Sequence, residues 1–120
     1  MNPEADSEIV RADRLSMAYC YGGTVLYERG EVLGPRELTD FEAVLVIDGF
    51  PQYESGEGTQ VLEPGSILVA QPGARETYRW DTKARTRHAY LHFALETIPS
   101  DWPALTDWPR WQLHPPPVAG

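Results

Sequence analysis

The apolar positions of this chain fall in short runs that alternate or nearly alternate with polar ones, and Gly or Pro punctuates them every eight to twelve residues. "LSMAYCY" (Leu15 to Tyr21) reads as a strand, the pair Gly22-Gly23 as a turn, and "TVLYERG" as the strand after it. "GPRELTDF" is a polar approach to the clearest strand of all, "FEAVLVIDG", which is β-branched, almost continuously apolar and closed by an Asp-Gly turn signal. "PQYES" is a short return strand, and "GEG" at Gly56 to Gly58 is a hairpin turn. "TQVLEPGSILVAQPG" holds two strands divided by Pro64-Gly65; "ETYRWD" and the long "TRHAYLHFAL" complete the series. No amphipathic helix is apparent before residue 100. About eight short strands with regular turns predict an all-β sandwich or small barrel. Residues 1–12 read as a mobile lead-in, 13–113 as the folded domain, and "HPPPVAG" (114–120) as an extended tail or the start of a linker. Three of the four tryptophans lie in "DWPALTDWPRWQL", an irregular segment expected to pack back over the barrel.

Composition narrows the function classes. One domain is expected from 120 residues, of which 42% are apolar. A net charge of −8 disfavours direct contact with a phosphate backbone. The single cysteine, Cys20, excludes an intrachain disulfide framework; flanked by Tyr19 and Tyr21, it reads as a small buried hydrophobe. The N-terminus lacks the apolar core of a signal peptide, and no apolar run approaches the ~20 residues of a membrane helix, so a cytoplasmic protein is expected, with no membrane partner.

The order of these signals is more informative than any one of them. An apolar strand ending in Asp48-Gly49, a hairpin, and then the turn–strand–turn of "LEPGSILVAQPG" resemble the cupin superfamily, a jelly-roll barrel or double-stranded β-helix of antiparallel strands. The longer string "GPREL…FEAVLVIDG…LEPGSILVAQPGARETYRWD…TRHAYLHF" resembles the N-terminal sensor domain of AraC-type transcriptional regulators, over residues 24 to 95. That resemblance implies an effector bound inside the barrel, homodimerisation, and DNA contact only through a helix-turn-helix domain outside these residues. In that family the N-terminal segment can close over the ligand, which makes Tyr19 and Tyr21 lining candidates.

Catalytic cupins hold a metal through an early cluster of two histidines and a glutamate plus a later histidine. No histidine precedes His88, and the later position, near "GARETY", carries Glu76. His88 and His92 lie four apart in an alternating strand, which separates them by roughly 13 Å at about 3.3 Å per residue. Two imidazoles on one ion must approach within about 4 Å of each other. The expectation is therefore no metal, no cofactor and no enzyme, with a stand-alone metal-dependent cupin enzyme or a purely structural dimerisation domain as the alternatives.

Two polar faces remain as candidate ligand sites. In the last long strand, Ala89, Leu91 and Phe93 form the natural core face, and simple alternation then favours an outward face for His88, Tyr90 and His92; the other reading turns those three into a cavity. In "ETYRW", Glu76, Tyr78 and Trp80 share a face that would supply an acceptor, a phenol and an aromatic wall to a polar cyclic ligand such as a sugar. The plainer reading leaves Glu76 solvated and the aromatics as packing residues. Arg36 pairs with an anionic ligand or with Glu76, or is a solvated loop charge.

Overall fold

A computed structural model describes residues 14–117 and consists of nine strands: β1 (Ser16–Tyr27), β2 (Val32–Glu37), β3 (Phe41–Asp48), β4 (Gln52–Ser55), β5 (Gly58–Val61), β6 (Ile67–Ala70), β7 (Arg75–Arg79), β8 (Thr86–Thr97) and β9 (Trp111–His114). Every pairing is antiparallel. One sheet has the order β1-β8-β3-β6-β9, the other β2-β7-β4-β5. Their inner faces enclose a core of Val44, Val46, Leu68, Tyr53, Tyr78 and Trp80 with their neighbours, so the architecture is the expected all-β jelly roll. The expected lead-in at 1–12 lies outside the described residues, as do the last three residues of the expected tail. The only helical turns described are short 3-10 segments, and among the described residues no helix is long and apolar enough to cross a membrane.

Alternation explains most of this. On β3, Glu42, Val44 and Val46 point inward and are buried, while Leu45 and Ile47 point outward and are exposed. The β4–β5 hairpin closes through Gly56-Glu57, as "GEG" predicts, with Ser55 opposite Gly58. Gly65 (φ 90°) and Gly73 (φ 91°) supply the left-handed turns on either side of β6.

Four expectations are corrected. Gly22-Gly23 is not a turn: both lie inside the 12-residue strand β1, which pairs with β8 in continuous register from Tyr19 to Tyr27. The glycines are needed for close approach instead. A Cβ on Gly22 would overlap the Tyr90 carbonyl oxygen, and one on Gly23 would sit 3.3 Å from the Tyr90 hydroxyl. "VLGPRE", within what looked like a polar connection, is strand β2. Its pairing with β7 shifts register between Leu33 and Arg36, where Gly34-Pro35 is interposed, so that Arg36 comes opposite Glu76. The Trp-rich segment is not irregular throughout: Trp111–His114 forms β9 on the edge of the larger sheet, with Trp111 and Leu113 turned onto the core. Cys20 is exposed, not buried, because it sits on the outer face of an edge strand.

The Gly22 contact yields a direct test. Gly22→Ala should destabilise the domain by about 1–3 kcal/mol, since β1 must move away from β8. Gly56→Ala, where nothing lies within 4 Å of the added carbon, should stay within about 0.5 kcal/mol. Denaturant unfolding of the two variants beside the parent measures the difference.

Candidate functional site

The inner space is divided. Toward β6 and β9 it is filled by apolar side chains; toward the edge strands β1 and β2 it opens into a cavity of about 310 Å³. Tyr21, Val25 and Tyr27 of β1, Leu33 and Arg36 of β2, Glu42 of β3, and His88, Tyr90 and His92 of β8 line it. The β8 expectation is thus reversed. His88 is 4% exposed inside the barrel, whereas Leu91, on the supposed core face, is 38% exposed on the outside. The cause is visible in β3. Its inner residues Val46, Val44 and Glu42 lie opposite His88, Tyr90 and His92, so two neighbouring strands present the same parity to the interior.

Beneath the cavity runs a continuous chain of polar contacts. The Tyr19 hydroxyl donates to Asp40 at 2.7 Å. His92 lies between Asp40 and Glu42, with Nδ1 2.8 Å from one carboxylate and Nε2 3.0 Å from the other. Both contacts become donated hydrogen bonds together only when the ring carries both protons. Arg36 donates to Glu42 at 2.6 Å and, from Nε and Nη2, to Glu76 at 3.2 and 2.9 Å. The Tyr53 hydroxyl closes the chain on Glu76 at 3.2 Å. Neither plain reading of Glu76 and Arg36 holds: Glu76 is 2% exposed, and Arg36 is a half-buried strand residue held by two carboxylates.

Charge is unevenly balanced here. Burial, with the nearby Glu42 carboxylate, pushes Glu76 up to about 7, against the opposing pull of Arg36. Burial would raise Asp40 as well, but hydrogen bonds from Tyr19 and His92 outweigh it and hold that carboxyl below its ordinary range. For Arg36, burial opposes the charge, and the two carboxylates more than restore it. Burial lowers His88 and favours its neutral ring.

A column of stacked rings backs the cavity. Tyr27 and Trp80 are 4.2 Å apart between ring centroids, Trp80 and His88 4.9 Å, and Tyr78 and Trp80 5.1 Å. Three buried polar atoms of this column have no hydrogen-bond partner: His88 Nδ1, Trp80 Nε1 and the Tyr78 hydroxyl. Buried polar atoms are ordinarily satisfied by protein groups or by ordered water. His88 is the one of the three that lines the cavity.

All nine sequence-predicted site residues converge on this region. Tyr21, Arg36, His88, Tyr90 and His92 line the cavity; Glu76 and Tyr19 lie in the polar chain; Tyr78 and Trp80 stack behind. Asp40, Glu42, Tyr27 and Tyr53 were missed. Glu42 carries a sequence signal: it is the charged residue in phase with Val44 and Val46 in an apolar run. Tyr27 has the parity of Tyr19 and Tyr21. Asp40 and Tyr53 have no such mark. His88 and His92 are separated by the Tyr90 ring, at centroid distances of 6.1 and 5.8 Å. Among the described residues no three His, Cys, Asp or Glu side chains are grouped so as to hold a metal ion.

A larger cavity, about 820 Å³, lies on the outer face of the five-stranded sheet beneath Trp102 and Trp108. It is lined mostly by apolar side chains and contains none of the unpartnered polar atoms, so the inner cavity is the better candidate for specific recognition.

No family model and no curated protein matches the sequence. Solved structures do match, at the level of fold. ToxT from Vibrio cholerae, an AraC-family regulator, aligns in its unsaturated-fatty-acid-bound form with a TM-score of 0.58 and 7% identity, over 82% of this chain and 41% of that one. YhaK from Escherichia coli, a cupin, aligns with a TM-score of 0.62 and 16% identity over 89% and 47%. A protein of Pseudomonas aeruginosa designated glyoxylate-induced aligns with a TM-score of 0.65 and 18% identity over 82% and 36%. This chain therefore has the cupin fold that cupin proteins and the N-terminal domain of an AraC-type regulator share. The aligned region spans between about a third and two fifths of the length of ToxT.

The elevated Glu76 makes the fold pH-dependent with a definite sign. Its proton is held more tightly folded than unfolded, so its contribution is full below about pH 4.5 and is lost as pH rises through about 7. Between pH 5 and 8 the parent should lose about 1–3 kcal/mol relative to Glu76→Gln, which has no proton to release. Parallel denaturant titrations at both pH values measure the difference in slope.

Proposed function

We propose that this chain is a small-molecule-sensing domain of the AraC-type regulator kind, cytoplasmic and homodimeric, with no catalytic role of its own. In this reading the inner cavity takes an uncharged, hydroxyl-rich ring such as a sugar, and DNA is reached only through a separate helix-turn-helix domain. The observation that carries it is His88 Nδ1, a buried polar atom without a partner on the wall of an aromatic-backed cavity. Tyr21, Tyr27 and Tyr90 offer ring faces, and the polar floor offers acceptors to hydroxyl groups.

A carboxylate ligand of the fatty-acid type bound by ToxT suits this floor poorly. Arg36 is already committed to Glu42 and Glu76, so an incoming acid would have to displace a buried carboxylate. Nor does His92 favour catalysis: both of its ring nitrogens are engaged by carboxylates.

Thermal-shift screening tests the reading. Neutral sugars should raise the melting temperature, by about 2.7 kcal/mol of stabilisation at a hundredfold excess over Kd, with fatty acids giving less. His88→Phe keeps the stacked ring and removes the orphan nitrogen. It should leave the ligand-free domain as stable as the parent or slightly more so. It should also weaken sugar binding by about tenfold or more, equivalent to about 1.4 kcal/mol. No stabilisation by any sugar would refute the assignment.

A further inference from the structure

The four sheet edges are unequal. β2 carries Pro35, which has no N–H to offer, with Arg36 and Glu37 beside it. β5 is four residues long; β9 is four residues long and runs into Pro115-Pro116-Pro117. Short length, proline and charge are the ordinary ways in which an edge is kept from pairing with another chain. β1 has none of them. It runs for 12 residues from Ser16 to Tyr27, contains no charged residue and no proline, has register shifts against β8 only at its start, around Met17, and among the described residues pairs on one side only, with β8. Its side chains are open to solvent: Met17 is 49%, Tyr19 44%, Tyr21 56% and Leu26 43% exposed.

We infer that β1 is the docking edge for a second copy of this chain, strand against strand and antiparallel about a twofold axis, so that the five-stranded sheet continues into its mate. This rests on the homodimer reading above and gives it a surface. An antiparallel strand pair is self-complementary, which an isologous twofold contact requires. Charge restricts where two copies can meet. Each copy carries −8, so two copies repel over most of their surface. Along β1 they meet without placing like charges opposite one another. The contact also bears on the ligand site. Tyr21, Val25 and Tyr27 of β1 form one lip of the cavity, and an added strand lengthens that wall where it is open. Dimerisation and ligand binding should then strengthen each other.

Sedimentation equilibrium of the full chain tests this. The parent should have twice the 13.5 kDa chain mass. Thr24→Glu with Leu26→Glu, two exposed positions that do not line the cavity, should return it to monomer, with circular dichroism unchanged. Val61→Glu, on the β5 edge, should remain dimeric. Amide hydrogen exchange of the parent gives a second readout that needs no variant: protection across Ser16–Tyr27 should rise with protein concentration. A parent dimer that survives the double substitution, or shows no such rise, overturns the β1 assignment and leaves homodimerisation standing. A parent that stays monomeric up to ~1 mM overturns both, while sugar binding in the thermal-shift assay stands or falls separately.

Discussion

The Arg36 guanidinium joins the two sheets at the polar end of their interior. It reaches from β2 of the smaller sheet to Glu42 on β3 of the larger and to Glu76 on its neighbour β7. Without it the two buried carboxyl groups would lose the cation they share; breaking one partner of such a group typically costs about 3–5 kcal/mol. The arrangement orients the residues around it. Glu42, held from one side, is available on the other to His92, and His92 in turn engages Asp40. The cavity is thus bordered by groups already in contact with each other, which favours a ligand that adds hydrogen bonds over one that competes for charge.

Much of the fold was legible because period-2 alternation and Pro-Gly punctuation survive in β3 to β8. What failed did so for physical reasons. Gly22-Gly23 carries the composition of a turn, but the pair serves a strand crossing in which β8 leaves no room for a Cβ. β2 was hidden by Pro35, which is tolerable only because β2 is an edge. The face of β8 was misjudged because hydrophobicity was used to find the interior. In this barrel the interior of β8 is a polar and aromatic surface, and the outer face of the larger sheet is itself apolar, with Phe41 and Phe93 stacked at 5.0 Å beneath the Trp-rich segment.

The residues of the candidate site were legible in part, and their arrangement was not. Alternation grouped Glu76 with Tyr78 and Trp80, and His88 with Tyr90 and His92, and both groups meet inside the barrel. It could not show that Glu42 and Asp40 join them, since that depends on β3 lying between β6 and β8. Nor does alternation reveal a buried nitrogen without a partner. His88 Nδ1 has no hydrogen-bond partner, and the rings packed nearest to it, Trp80 and Tyr27, present stacked faces that offer no acceptor.

β9 gives the chain's departure from the barrel a mechanical character. Trp111–His114 is bonded to β6, and the next three residues are prolines, one of which packs against the turn at Gly65. A polypeptide leaving through such a rod, advancing about 3.1 Å per residue, keeps its direction for several residues instead of losing it to swivelling. β6 neighbours β3, and β3 carries Glu42 of the cavity floor. A small rotation of that sheet would therefore be felt directly at Pro115 to Pro117, with the β6–β9 pairing as the clamp that transmits it.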